Sequence, residues 1–151
     1  MKPRHFLTLL DLSSNELKHL MERAVLMKAS LHSRSSASLM AGMTMAMLFE
    51  KPSTRTRVSF EVAASQLGGH ALFLAPGDSH LSRGEPLSDT ARIISSMTDL
   101  IVMRTSAHDR VTTMAAHSQV PVINAMSDEF HPCQLLADVL TFIEKRGQIQ
   151  D

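Results

Sequence analysis

The chain has 151 residues, of which 44% are apolar and 20% charged, a composition typical of a soluble globular domain with its own core. Lysine plus arginine and aspartate plus glutamate number 15 each, so no net charge points to nucleic acid or to a membrane surface as a partner. No apolar run approaches the roughly 20 residues that span a bilayer, and the first residues lack the features of a signal peptide. Cys133 is the single cysteine, which excludes an internal disulfide, and we expect a cytoplasmic protein.

The first predicted element is a helix. Ser13 and Glu16 have the spacing of a capping box, which marks a helix start. Apolar residues then recur at helical spacing, at Leu17, Leu20, Met21, Ala24 and Met27. We expect this helix to end near Leu31, and the serine-rich segment 32–42 to form a loop.

The next two elements are a strand and a second helix. Residues 43–48 form a continuous apolar run, which predicts a buried strand. A helical pattern follows, with Phe60, Ala64 and Leu67 on one stripe, and Gly68 with its neighbouring glycine is expected to end it. The segment between, Ser53–Arg57, therefore lies where a strand gives way to a helix.

Such a junction predicts an anion site. The first turn of a helix has unpaired N–H groups and the positive end of the dipole. Ser53 is a good N-cap and Thr54 adds a hydroxyl, while Arg55 and Arg57 add planar cations, of which we expect one to face the anion. The alternative is a capped helix start with two solvated arginines. No G-x-x-x-x-G-K-[ST] sequence occurs, so this is not a P-loop.

The middle of the chain continues the alternation of strands and helices. The apolar run 71–74 predicts a second strand, and the polar segment 76–85 predicts a long loop of the kind that is often functional. Pro86 begins a third helical pattern, and residues 100–103 predict a third strand with Arg104 at its end. The apolar face of the third helix is expected to contain Leu87, Ala91, Ile94 and Met97.

Two further helices flank a fourth strand. Asp109 is expected to cap the fourth helix, and residues 120–123 predict a strand in which Pro121 indicates either an edge strand or the first residues of the strand. The last helix is predicted from Pro132 to Gly147. The inward positions of these two helices are expected to be Val111, Met114, Ala115, Leu136, Val139, Leu140 and Ile143.

This alternation predicts one α/β domain over residues 1–151, a three-layer α/β/α fold with a four-stranded, mostly parallel sheet. In such folds, ligands bind beyond the carboxyl ends of the strands. A polar group follows each predicted strand: Ser53–Arg57, residues 79–83, Arg104, and residues 131–134. Because one rim of the sheet can bring all four together, we expect a shared site there.

Each of these groups also has a purely structural interpretation. Alone, Arg104 would be a surface arginine and His131 a local helix cap. Cys133 fits either a small buried hydrophobic residue or a reactive thiol at a helix start, and no pattern supports a thiol nucleophile. Neither H-E-x-x-H nor C-x-x-C spacing occurs, so we expect no metal site.

The four groups together resemble a known family. Their sequences are F-E-K-P-S-T-R-T-R at Phe49–Arg57, R-G-E and D-T-A-R at residues 83–85 and 89–92, M-R-T at 103–105, and H-P-C-Q-L-L-A-D at 131–138. In order and spacing the chain is similar to the amino-terminal, carbamoyl-phosphate domain of the aspartate/ornithine carbamoyltransferase family. Its aspartate branch typically has H-P-T-Q and a lysine before G-E. Cys133, Arg83 and Lys51 favour the ornithine branch.

The resemblance implies roles for particular residues. The phosphate end of carbamoyl phosphate would be bound by Ser53, Thr54, Arg55 and Thr56. Arg104 and His131 would reach its carbonyl oxygen, and with Arg55 they would act in catalysis by polarising the carbonyl and stabilising the leaving group. The same binding motif includes Pro132, Cys133 and Gln134, of which Gln134 would accept from the carbamoyl amide. The loop around His80, where the family usually has glutamine, would reach a neighbouring subunit's site in a homotrimer.

The resemblance also implies a reaction: transfer of the carbamoyl group to ornithine, giving citrulline and phosphate in arginine biosynthesis, with no cofactor. The family has a second domain that binds the amino acid, whose S-M-G and H-C-L-P motifs are absent from this sequence. We therefore expect this chain alone to be inactive. Two alternatives stay open: a carbamoyltransferase acting on aspartate or another amine, and a non-catalytic phosphate-binding or assembly module.

Overall fold

A computed structural model describes residues 2–32, 38–75 and 84–147. Within these ranges the helices are α1 (Ser14–His32), α2 (Thr54–Gln66), α3 (Leu87–Ser95), α4 (His108–His117) and α5 (Pro132–Arg146). The strands are β1 (Thr44–Phe49), β2 (His70–Leu74), β3 (Leu100–Arg104) and β4 (Val122–Met126). The expected loops at 32–42 and 76–85 fall largely on residues 33–37 and 76–83, which lie outside the described residues.

The four described strands form one parallel sheet in the order β2-β1-β3-β4. In its register, Met47 lies opposite Phe73 and Val102, and Phe49 lies opposite Arg104. The parallel α/β prediction is therefore confirmed. All carboxyl ends of these strands lie at the same edge of the sheet, which is where the polar groups follow them.

The core consists of two layers, one on each face of the sheet. On one face, Ala46, Leu48, Ile101 and Met103 pack with Ala91 of α3 and with Val111 and Met114 of α4. On the other, Met45, Met47, Phe49 and Val102 pack with Phe60 and Ala64 of α2, while α5 contacts β4 and α1 packs on α5. Successive strand residues alternate between the two faces, as the pleat of a strand requires. The predicted three-layer arrangement is confirmed.

The fourth strand begins two residues later than the predicted segment. Pro121 precedes β4, which runs on to Met126 through the fully buried Asn124. The apolar pattern ends at Ile123, so it does not predict that a polar residue continues the strand. Asn124 is tolerated because its Nδ2 donates to the carbonyls of Leu7 and Phe130, at 2.9 and 3.3 Å. The predicted edge position of β4 is confirmed among the four described strands.

Helix boundaries were predicted less well than helix identity. The capping box is confirmed: Ser13 N–H donates to Glu16 at 2.8 Å. Asp109 is not the N-cap of α4, because Ala107 holds that position and Glu129 accepts from the His108 N–H at 3.0 Å. The expected inward role of Met97 is also wrong, since α3 ends at Ser95 and Met97 is 65% exposed. No helix of the described part of the chain is long and apolar enough to cross a membrane.

Candidate anion-binding site

The turn between β1 and α2 is built as the sequence predicts. Ser53 is the N-cap of α2, and its Oγ accepts from the Thr56 N–H at 3.3 Å and donates to Thr56 Oγ1 at 2.9 Å. The N–H groups of Thr54 and Arg55 lie in the first turn of α2, where the helix itself offers no carbonyl acceptor. They have no partner among the described residues. Two backbone donors at the positive end of a helix are thus free to bind an anion.

The two arginines of this turn diverge, as expected from their spacing. Arg57 donates to Glu61 at 3.0 Å, and its guanidinium lies 3.8 Å from the centroid of the Phe73 ring. Arg55 is exposed and has no hydrogen-bond or ion-pair partner in the described part of the chain. Arg57 is therefore not simply solvated, because it bonds to Glu61 and packs on the ring of Phe73. Arg55 is the cation that remains available for a ligand.

Arg104 joins this turn from the neighbouring strand. It stands at the end of β3, and its Nη1 donates to Thr56 Oγ1 at 3.3 Å. The buried Nε of Arg104 has no acceptor among the described residues. A buried donor left without an acceptor costs about 1–3 kcal/mol. A ligand that supplied an acceptor here would recover that energy, so the orphan donor supports a binding role rather than a surface one.

His131 brings the fourth rim group to the same place. It is the N-cap of α5, with Nδ1 accepting from the Gln134 N–H at 3.4 Å. Burial lowers the pKa of His131, and the positive charge of Arg104 lowers it further, while Asp138 acts in the opposite direction. The neutral ring uses Nδ1 as an acceptor, which leaves the proton on Nε2. The interpretation of His131 as a helix cap is correct. Because the capping hydrogen bond uses Nδ1, the ring can donate a hydrogen bond from Nε2.

The three residues after His131 occupy different environments. Pro132 is buried at the start of α5. Cys133 donates from Sγ to the Asn124 carbonyl at 3.6 Å, and burial raises the pKa of its thiol to about 11. Gln134 is exposed, and its Nε2 donates to Asp138 at 2.9 Å, which orients the side chain and leaves its oxygen as an acceptor. Of the two interpretations of Cys133, the buried residue fits and the reactive thiol does not.

Two ion pairs at this rim were missed. Arg110 pairs with Glu50 and Lys51 pairs with Asp128, the latter at 2.8 Å. Glu50 and Lys51 belong to the first motif, but nothing in their spacing predicts partners about sixty and eighty residues away in the chain. Pairs between side chains that follow different strands can be recognised only when the strand order is known.

The second rim group, including His80, belongs to the segment 76–83, which lies outside the described residues. Within the described ranges, no three His, Cys, Asp or Glu side chains are grouped as a metal ion would require. Among the described residues, the candidate site thus consists of Ser53, Thr54, Arg55, Thr56, Arg104, His131 and Gln134.

Comparison with known proteins assigns this arrangement to a family. Residues 4–144 match the model of the aspartate/ornithine carbamoyltransferase, carbamoyl-P binding domain. The chain belongs to this family.

Individual relatives agree with this assignment. The ornithine carbamoyltransferase of Hydrogenovibrio crunogenus is 57% identical over 150 residues, which are 99% of this chain and 50% of that protein. An ornithine carbamoyltransferase structure from Pyrococcus furiosus has a TM-score of 0.93 at 47% identity, covering 97% of this chain and 47% of that one. The catalytic subunit of M. jannaschii aspartate transcarbamoylase has a TM-score of 0.89 at 34% identity, over 96% and 48% of the two chains. The chain spans about half the length of the curated relatives it matches.

Proposed function

We propose that this chain supplies the carbamoyl-phosphate site of an ornithine carbamoyltransferase. The observation that carries the proposal is the convergence of the α2 N-terminus and Arg104 on one hydroxyl, Thr56 Oγ1. An anion bound at the helix start would therefore lie beside the guanidinium of Arg104, whose Nε has no acceptor among the described residues. Carbamoyl phosphate is a phosphate joined to a carbonyl group. It therefore fits an anion site that lies next to donors able to polarise a carbonyl.

The phosphate end would lie on the first turn of α2. The free N–H groups of Thr54 and Arg55 supply donors and Arg55 supplies a charge, while Ser53 caps the turn that presents them. As the leaving group departs, its negative charge increases. These fixed donors then stabilise it without having to reorganise.

The carbamoyl end would lie toward Arg104 and His131. Thr56 Oγ1 accepts from both Ser53 and Arg104, so its own proton is free to point at a ligand oxygen. With the Nε2 proton of His131 and the Arg104 guanidinium, three donors could converge on the carbonyl oxygen. The free oxygen of Gln134 would accept from the carbamoyl amide and fix its orientation.

The proposed reaction is acyl transfer. The neutral δ-amine of ornithine attacks the carbamoyl carbon, a C–N bond forms, and the negative charge that develops on the carbonyl oxygen is stabilised by the three donors. The C–O bond to phosphate then breaks, phosphate leaves with the bonding electrons, and the amine loses a proton. Alignment of the two substrates supplies a large part of the rate.

We further propose that residues 1–151 bind only carbamoyl phosphate and that a second domain, outside this sequence, binds the amino acid. Ornithine is favoured over aspartate because relatives that are 57% and 54% identical are named ornithine carbamoyltransferases, whereas the aspartate enzyme is 34% identical. Citrulline formation would place the protein in arginine biosynthesis.

Assembly as a cytoplasmic homotrimer is part of the same proposal. Val58 and Val62 lie on the outer face of α2, 51% and 45% exposed, and they border a groove that also includes Arg55. An exposed apolar strip beside a binding site supports a subunit contact there. His80 would enter the site of the neighbouring subunit across this contact.

The proposal is tested by titration calorimetry of the chain with carbamoyl phosphate and, separately, with inorganic phosphate. We expect carbamoyl phosphate to bind more tightly, because Arg104, His131 and Gln134 would add contacts to its carbamoyl group. Equal affinities would favour the alternative, a non-catalytic phosphate-binding module. A citrulline assay with saturating ornithine is expected to show no turnover, and turnover on the order of 10 per second would refute the two-domain assignment.

A further inference from the structure

The buried Asn124 side chain contacts the turn that leads to His131. Asn124 is fully buried in β4, and its Nδ2 donates to the Phe130 carbonyl at 3.3 Å. The same Nδ2 donates to the Leu7 carbonyl at 2.9 Å and lies 3.5 Å from Ser127 Oγ. Three acceptors around one amide nitrogen define a single orientation of the side chain. Because Asn124 Oδ1 has no donor among the described residues, the side chain is held through its nitrogen.

Ser127 closes the turn on the same residue, Phe130. Its Oγ accepts from the Phe130 N–H at 3.1 Å, and its own N–H donates to the Phe130 carbonyl at 2.8 Å. Ser127 is buried, and its hydroxyl also lies 3.0 Å from Nδ1 of His108 in α4. The ring of His108 packs on that of Phe130, with centroids 4.6 Å apart. Both backbone polar groups of Phe130 are therefore fixed directly before His131.

A second contact from Asn124 fixes the chain directly after His131. The Asn124 carbonyl accepts from Cys133 Sγ at 3.6 Å, and Pro132 is fully buried at the start of α5. Residues on both sides of His131 are thus anchored to one residue of β4. His131 itself is only partly buried, with Nδ1 accepting from the Gln134 N–H. The two anchors therefore determine where this helix cap lies, and with it Nε2 of the His131 ring.

We propose that Asn124 is a positioning residue, which holds the turn 127–131 so that Nε2 of His131 faces the carbonyl oxygen of bound carbamoyl phosphate. This inference rests on the proposed carbamoyl-phosphate site, and it assigns Asn124 no contact with the ligand. A donor stabilises developing charge most effectively when its position is fixed in advance. A loosened turn would therefore weaken binding at the carbamoyl end. The phosphate end, on the first turn of α2, would be unaffected.

A general contribution to stability is the competing explanation, because a buried amide that is bonded to carbonyls stabilises any fold. That role predicts that Asn124→Ala lowers the melting temperature and changes both ends of the ligand site equally, or neither. The positioning role predicts a loss confined to the carbamoyl end. Ser127→Ala should produce the same loss, since it removes the acceptor of the Phe130 N–H and leaves the Asn124 amide in place.

The test compares Asn124→Ala and Ser127→Ala with Met45→Ala as a control. Met45 is buried near the amino end of β1, at the edge of the sheet opposite the site. Its truncation should therefore cost stability without affecting the turn. Each chain is titrated calorimetrically with carbamoyl phosphate and, separately, with inorganic phosphate. Melting temperatures verify that each variant is folded, and if Asn124→Ala does not fold, Ser127→Ala alone decides the comparison.

We expect the Asn124 and Ser127 variants to bind carbamoyl phosphate about tenfold more weakly and inorganic phosphate within about twofold of the original chain. Met45→Ala should bind both ligands normally. Unchanged affinity for carbamoyl phosphate in the folded variants would overturn the positioning role. Equal losses of affinity for the two ligands would overturn it as well, because they would indicate a general structural role.

A second measurement needs no ligand. The ring ¹⁵N chemical shifts of His131, recorded at about pH 8 where the ring is neutral, report which nitrogen carries the proton. In the original chain and in Met45→Ala the proton should lie on Nε2, because Nδ1 accepts from the Gln134 N–H. In the Asn124 and Ser127 variants the shifts should approach those of a mixture of the two tautomers. A ring that keeps its Nε2 proton in the folded variants would overturn only this inference, whereas failure of the original chain to bind carbamoyl phosphate would overturn the proposed function itself.

Discussion

Arg104 Nη1 donates to Thr56 Oγ1 at 3.3 Å, and this contact joins the end of β3 to the first turn of α2. Because β1 and β3 are adjacent and parallel, the residues that follow them meet at one edge of the sheet. Thr56 also accepts from Ser53 at 2.9 Å, which fixes the hydroxyl between the helix cap and the guanidinium. The proposed carbonyl-binding side of the site depends on this hydroxyl.

Removing that hydroxyl should weaken ligand binding. Thr56→Val keeps the shape of the side chain but leaves Arg104 Nη1 without its acceptor, and we expect carbamoyl phosphate to bind about tenfold more weakly. Thr56→Ser restores the hydroxyl and should regain most of the affinity. Calorimetry on both variants measures this, and equal binding by the valine and serine variants would contradict the role of the hydroxyl.

Arg55 and Arg57 offer a matched pair on one helix. Arg55→Ala should reduce the affinity for phosphate by roughly 1.5–3 kcal/mol, because a charge-assisted contact is lost. Its melting temperature should stay nearly unchanged, since Arg55 is exposed and unpaired among the described residues. Arg57→Ala should do the opposite, lowering stability slightly through the lost contacts to Glu61 and Phe73 while binding normally. Unaltered affinity in Arg55→Ala would remove it from the site.

The three layers of the fold and the polar groups at one edge of the sheet could be predicted from the sequence, because both follow from short-range patterns. Apolar runs followed by helical periodicity are sufficient to predict a parallel sheet, and Ser53 before Thr54 is sufficient to predict a helix cap. Asn124 and the Arg110–Glu50 pair could not be predicted in this way. A buried polar side chain or a pair between distant residues is stable only because of neighbours that the fold brings together.

Stability should fall in mild acid because of two histidines. Burial lowers the pKa of His5 and of His131 below the ordinary 6.5, and His5 Nδ1 accepts from the Val122 N–H at 3.1 Å. Between the folded pKa and 6.5 the unfolded chain binds more protons, so the free energy of unfolding decreases as the pH falls through this window.

Denaturant unfolding at several pH values between about 7.5 and 5 measures the slope. His131→Asn keeps a good N-cap on α5 and removes one titrating group, so its slope should be shallower. His19→Asn is a control, because His19 is an exposed residue of α1. A slope in His131→Asn as steep as in the original chain would contradict the lowered pKa of His131.

Cys133 should be nearly inert to thiol reagents in the folded chain. With a pKa of about 11 and a partly buried side chain, it is almost entirely protonated at neutral pH. Because it is the single cysteine, a colorimetric disulfide reagent reports on it alone. We expect slow reaction in buffer and fast reaction in denaturant, where burial no longer raises the pKa. Equal rates in the two solutions would contradict the buried interpretation.

The most direct measurement is a ¹H–¹⁵N NMR titration of the chain with carbamoyl phosphate. We predict that the backbone N–H signals of Thr54, Arg55 and Thr56 shift most, because these groups form the helix start that would bind the phosphate. The side-chain Nε–H of Arg104 should shift with them, since it gains an acceptor. Saturating shifts confined to other parts of the chain, or no shifts at all, would contradict the assignment of this site.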